Sequence, residues 1–330
     1  MAGPYQVNVE EFLPISILCI GACSKSLIRL ILCVPLGFLR GLDDSSQYGW
    51  QHRRFQSTTV NEVNQEPRDR AQVPGALMTV ALAAATWSIA IGGHELIGHG
   101  GVCAIDPGCR WIAADAMYFD GTRDQGPWLN LQRAAGSVFN VTLALLAALW
   151  LHRRKPTTVW AQVALWLTIT INLFQAGSYI AFGWVIHPGM DWARLAAQIQ
   201  PLWFGHAAVT VSGLLVVAMG FALGAKLWPQ SIAGPNRIRN GLWIAGLAYL
   251  ACGVVSVTAS LLVPHPDRML MLAGGIGNSF GFVFWLLFLA LLAPSGPKTL
   301  QRGTNGPVLA AALSLTALYV FALGPGIQFG

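Results

Sequence analysis

The sequence predicts an all-α fold: a polytopic membrane helix bundle of about seven transmembrane helices. Composition is the first reason. Of 330 residues, 54% are hydrophobic and only 10% are charged, against roughly 25% charged in soluble domains. Length is the second. Seven apolar segments approach the roughly 20 residues that a helix needs to cross a bilayer. Charge placement is the third, because the Lys, Arg and Asp residues fall in the connections between those segments. The formal net charge of +6 is small and spread among loops. It points to a lipid bilayer as partner and not to nucleic acid.

Residues 1–75 form a region of their own. Phe12 to Leu39 is apolar but broken by Lys25 and Arg29, with Pro14 and Pro35 near its ends. It lacks the basic start and small-residue cleavage site of a signal peptide. It fits an interfacial helix pair, an extra span, or an over-extended start whose true beginning lies downstream. Residues 41–75 are polar and aperiodic and read as a disordered tail. The apolar segments then run 76–99, 135–151, 158–184, 202–225, 240–263, 269–293 and 307–325, the second being the shortest.

Lys and Arg set the orientation. Arg153, Arg154, Lys155, Lys226, Arg237, Arg239, Lys298 and Arg302 stand in alternate connections that carry no acid. The other connections hold Asp106, Asp115, Asp120, Asp124, Asp191 and Asp267. The basic side is expected in the cytoplasm of a cell whose bacterial inner (plasma) membrane the chain spans. The opposite, extracytoplasmic side then gathers His94, Glu95, His99, Asn140, His187, Asp191 and His206 at one depth. Cys103 and Cys109 share a loop there, as a small disulfide or as two free thiols.

Gly92-Gly93-His94-Glu95-Leu96-Ile97-Gly98-His99-Gly100 closes the first segment, and Glu95 is the only glutamate after Glu66. Ionisable residues inside a membrane span are costly and mark functional sites. In H-E-x-x-H zinc motifs the histidines stand at i and i+4 and share one helix face. Here they stand at i and i+5, which on an ideal helix separates them by about 140°. One inserted residue, absorbed as a π-bulge, would bring them back together, and such bulges recur at functional sites. Gly98 lowers the cost of irregular backbone there.

His94-Glu95-Leu96-Ile97-Gly98-His99 resembles the zinc signature H-E-L-L-G-H of the dipeptidyl peptidase III family. That resemblance implies His94 and His99 as ligands and Glu95 as the group that activates water. In its membrane setting the chain looks more like the site-2 protease family of intramembrane zinc metallopeptidases. The same His-Glu…His run carries that likeness, with two further pieces. Ala135-Gly136-Ser137-Val138-Phe139-Asn140 is similar to the family's A-G-P-x-x-N. Pro188-Gly189-Met190-Asp191-Trp192-Ala193-Arg194-Leu195 is similar to its P-x-(L/M)-D-G-G-R segment, with Trp192 and Ala193 where that family has glycines. The resemblance implies Asp191 as the third metal ligand, a place for which His187 competes. It also implies a hydrogen-bonding role for Asn140 toward substrate. Residues 76–200 become a metalloprotease-like core of three helices, and 201–330 an additional four-helix region.

The expected function is therefore hydrolysis of peptide bonds in membrane or membrane-proximal polypeptides, with Zn2+ as cofactor. Three protein ligands leave one zinc position open for water. Glu95 would serve as general base and then acid, and Asn140 would bond the substrate backbone or the developing oxyanion. Two other readings stand beside it. One is a non-enzymatic carrier or scaffold with a structural metal site. The other is a membrane di-iron oxygenase, for which His94-x4-His99 fits a first histidine box. Such enzymes need further H-x-x-H-H boxes, and the seven histidines here include no adjacent pair. Gly274 to Gly281 reads as small residues that let membrane helices pack closely.

Overall fold

Among the described residues, seven helices are long and apolar enough to cross a membrane. They are Ala76–Val102, Leu129–Arg154, Val159–Ile186, Leu202–Lys226, Ile238–Leu261, Leu272–Leu292 and Gly306–Leu323. The fold is the all-α bundle that the hydropathy pattern predicts. This computed structural model describes residues 72–103, 109–112, 117–119, 127–154, 156, 158–186, 190–229, 237–263, 268–294 and 301–328. The expectations for Phe12 to Leu39, for most of the polar tail and for His187 lie outside the described residues.

The helices, in chain order, are α1 (Ala76–Gly93), α2 (Pro127–Arg154), α3 (Val159–Ile186), the short α4 (Asp191–Ala196), α5 (Leu202–Lys226), α6 (Arg237–Leu261), α7 (Arg268–Ile276), α8 (Trp285–Leu289) and α9 (Gly306–Leu318). Three π-helical segments interrupt or extend them: His94–His99 after α1, Gly277–Gly281 after α7 and Tyr319–Leu323 after α9. One span is thus two short helices, α7 and α8, on either side of a break. The second span corrects the sequence expectation. Its helix begins at Pro127 and not near residue 135, and so includes Asn130, Gln132 and Arg133. Hydropathy rejects those polar residues, but Gln132 and Arg133 are buried inside the protein and not in lipid.

α1 and α3 are apolar on all sides and are buried on most of them. A helix of that kind belongs in the interior of a bundle. α5 is different. Its buried residues form one stripe, Gly205, Val209, Gly213, Val217, Gly220 and Gly224. The rest of α5 faces outward, with Val211 and Leu215 exposed. Lipid is as apolar as leucine, so membrane helices associate through close backbone packing. A Cβ on Gly213 would run into the Ala181 nitrogen and the Gly177 carbonyl of α3. The same seam is closed by Trp166, whose indole N–H donates to the Gly224 carbonyl at 2.8 Å.

One core joins both parts of the chain. Trp87 of α1, Phe174 of α3, Cys252 of α6, Leu286 of α8 and Tyr319 beyond α9 all lie in one buried cluster. Cys252 is a free thiol in that core. Short strands tie the ends. β1 (Gln72–Pro74) pairs in parallel with β4 (Gln301–Gly303), which sets the starts of α1 and α9 side by side. Past the other end of α1, β2 (Cys109–Ile112) pairs antiparallel with β3 (Met117–Phe119) and with β5 (Ile327–Gln328). α9 begins with a cap, the Asn305 side chain accepting from the Val308 N–H at 3.2 Å, with a proline in its first turn. Both features favour helix initiation.

The glycine seam gives a prediction. Gly213→Leu overpacks α3 against α5, at a typical cost of about 1–3 kcal/mol. The thermal midpoint in detergent should fall by several degrees. Gly246→Ala is the control, because its Cβ meets nothing within 4 Å, and it should leave the midpoint unchanged or slightly raised.

Candidate metal centre

The site begins with the backbone of α1. Where the α-helix would continue, the six residues His94–His99 adopt a π-helix. The Gly100 N–H donates to the Glu95 carbonyl, five residues back. In that geometry residues five apart stack over one another. The two imidazoles therefore lie on one face, with ring centroids 4.8 Å apart and planes at 72°. His94, Glu95 and His99 are all buried, while Leu96 at 38% and Ile97 at 62% are exposed. The extra residue has been absorbed as the i, i+5 spacing requires.

His94, Glu95 and His99 each offer one ligand atom, and these atoms lie within 4.8 Å of one another. The group could hold a metal ion. His99 is fixed by α2: its Nδ1 lies 2.7 Å from the Gln132 carbonyl. A carbonyl only accepts, so Nδ1 is the donor here, and in the neutral ring Nε2 then has the lone pair. Metal-bound histidines are oriented in this way. His94 meets different neighbours. Its Nδ1 is buried with no hydrogen-bond partner, and its Nε2 side rests on Gly136 of α2. A buried polar atom left unsatisfied costs about 1–3 kcal/mol, and a cation at Nδ1 would remove that penalty.

α2 meets the motif through small residues. A Cβ on Gly98 would stand 2.6 Å from the Gly136 Cα and 2.9 Å from the Ala135 carbonyl. A Cβ on Gly136 would run into the His94 ring, and one on Gly93 into the Phe139 ring. Gly98 is thus required for the close approach of two backbones. It also lies inside the irregular π turn, without a positive φ, which among the described glycines belongs to Gly326, at 86°. Ala135, Gly136 and Phe139 make the surface on which the π turn sits.

Asp191 stands beside His99, outside the group formed by His94, Glu95 and His99. It is the first residue of α4, following an extended Met190. Its Oδ2 accepts the Tyr179 hydroxyl at 2.8 Å and lies 3.7 Å from His99 Nε2. That is too long for a hydrogen bond. Two ligands of one tetrahedral ion with bonds of about 2.0–2.1 Å stand roughly 3.3 Å apart, so the pair needs only a small closure to share an ion. α4 is held against α2 by Trp192, whose indole N–H donates to Ser137 Oγ at 3.0 Å. A reciprocal amide pair between Asn130 and Gln198, 2.7 Å in each direction, fastens the chain just past α4.

Asn140 lies one helical turn beyond Gly136, fully buried. Its amide N–H donates to Gln175 Oε1 of α3 at 2.5 Å, and its Oδ1 has no partner. His206 stacks flat on Trp184, 4.2 Å between centroids. His187 and the side chains of Cys103 and Cys109 lie outside the described residues. Two contributors were not visible in the sequence. Gln132 acts through its main-chain carbonyl, which any residue would supply. Tyr179 contacts both Asp191 and His94.

Gly136→Ala tests this packing. The added methyl collides with the buried imidazole of His94 and must displace it. Metal bound per chain should fall, and the thermal midpoint of the metal-free protein should drop by several degrees through overpacking. Equal metal content in both proteins would contradict the placement of His94. Comparisons of the chain with protein-family models, with curated proteins and with solved structures found no match.

Proposed function

We propose that this chain is a membrane-embedded zinc metallopeptidase acting on membrane or membrane-proximal polypeptides. The observation that carries the reading is the π turn, which stacks two buried imidazoles beside a buried carboxylate at the end of a membrane span. Two nitrogen donors and a carboxylate suit zinc, and three protein ligands are the pattern of catalytic sites. In this reading His94 offers Nδ1, His99 offers Nε2 and Asp191 offers Oδ2. When bound, zinc supplies Lewis acidity to the scissile carbonyl and to water.

The remaining work belongs to the side chains. Glu95, adjacent to His94 and not among these three ligands, takes a proton from water and returns it to the leaving amine. Its burial excludes bulk water, which strengthens each electrostatic contact in the site. Tyr179 and Gln132 hold Asp191 and His99 in place. Asn140 has an unpartnered acceptor, Oδ1, and this suits it to a substrate backbone N–H better than to an oxyanion. The Lys and Arg asymmetry favours an extracytoplasmic site. The spans support a multi-pass membrane protein, and cleavage near a membrane surface follows from a site at span ends.

A second reading has its own support. Glu95 belongs to the same group of ligand atoms as the two histidines, so it can complete a structural His-Glu-His site without catalysis. One variant separates the two. Glu95→Gln should keep one zinc per chain and lose about 10²–10⁴-fold in turnover of a membrane-anchored reporter polypeptide. Loss of zinc in Glu95→Gln would make Glu95 a ligand and support the structural site. His94→Ala and His99→Ala should each lose zinc, and Asp191→Ala should bind it more weakly, measured by atomic emission and chelator competition on detergent-purified protein. A folded wild type that binds no zinc would end the peptidase reading.

A further inference from the structure

Asp191 differs from the other members of the site. His94, Glu95 and His99 are buried within one π turn. Asp191 comes from a separate six-residue helix, and its side chain is 27% exposed. A carboxylate on a partly exposed surface has several rotamers open to it. Something must select the one that turns Oδ2 toward His99.

Tyr179 makes that selection. Its hydroxyl donates to the same oxygen, Oδ2, that lies nearest His99 Nε2. The phenol is itself held on two sides. Its ring meets the edge of His94 at 5.9 Å and Phe282 at 6.0 Å. The backbone that carries it is tied to the broken span. Ser178 Oγ donates to the Phe282 carbonyl at 3.1 Å and accepts from the Trp285 indole at 2.8 Å. A fixed donor facing a mobile acceptor orders the acceptor. One hydrogen bond leaves the carboxylate oxygen a further lone pair for a cation.

We infer that Tyr179 is the positioning residue of the third metal ligand: its hydroxyl holds Asp191 Oδ2 toward His99 Nε2. The inference rests on the metal-centre reading above. Partners that orient a metal ligand typically change affinity by 10–100-fold when lost.

Tyr179→Phe keeps the ring contacts with His94 and Phe282 and removes only the hydroxyl. Zinc affinity is measured in competition with a chromophoric chelator for the full chain in detergent. Wild type, Tyr179→Phe, Asp191→Ala and the double variant are compared. Tyr179→Phe should bind zinc 10–100-fold more weakly than wild type, with the unfolding midpoint of the zinc-free protein unchanged. In the Asp191→Ala background the same change should have no further effect, because the hydroxyl acts through Asp191. Unchanged affinity in Tyr179→Phe would overturn the inference and leave the metal centre standing. So would an equal loss in the Asp191→Ala background, or a lowered midpoint with unchanged affinity. A wild type that binds no zinc overturns the metal centre itself, and this inference with it. Should Tyr179→Phe fail to fold, Tyr179→Leu, which also removes the hydroxyl, must then show the 10–100-fold loss; wild-type affinity in Tyr179→Leu overturns the inference.

Discussion

A helix that carries one residue too many must either turn its later face away or absorb the surplus locally. α1 absorbs it between His94 and His99, and the geometry of the site depends on that choice. The i→i+5 hydrogen bond of a π turn stacks residues that an α-helix would splay by about 140°. The same turn faces Leu96 and Ile97 outward while the polar residues on either side of them stay buried. A plain α-helix would bury only one of the two imidazoles on the inner face. An apolar bundle gives an outward-facing imidazole no partner, so the π turn answers both the desolvation problem and the geometric one.

The turn needs a particular neighbour. Two backbones approach at Gly98 and Ala135-Gly136, and the His94 ring covers Gly136. This is the packing logic of membrane proteins applied at the site, where small residues let helices touch. α3 and α5 use it along a whole stripe. The consequence differs in the two places. Along α5 the glycines bring helices together. At Gly136 the missing side chain makes room for an imidazole, so one glycine serves both fold and site.

Much of this was legible. Hydropathy marks all seven spans, because a bilayer enforces length and apolarity more strictly than water does. The spacing of the two histidines already implied an irregular turn. The start of α2 was not legible, because hydropathy cannot tell a polar residue in lipid from one inside the protein. Gln132 was invisible, since a main-chain carbonyl has no sequence signature. Tyr179 was missed because its partner Asp191 lies 12 residues away across a helix end. Trp192 looked like a departure from the glycine of the family that the segment resembles. In the structure its indole fastens the Asp191 helix to Ser137, a role that glycine cannot perform.

The polar atoms left over carry the last step. Among the described residues, buried side-chain atoms without a hydrogen bond include the indole nitrogens of Trp87 and Trp228, the amide oxygens of Asn140 and Asn172, and His94 Nδ1. An indole N–H cannot ligate a cation, because it has no lone pair to give. The amide oxygens of Asn140 and Asn172 are neutral and weakly basic. An imidazole nitrogen that keeps its lone pair is a good ligand for borderline metals. Of these orphans it alone stands beside a second imidazole whose tautomer is set and whose free nitrogen faces a carboxylate. A cation held by the ligand atoms that His94, Glu95 and His99 bring together would give His94 Nδ1 the partner that the protein itself does not supply.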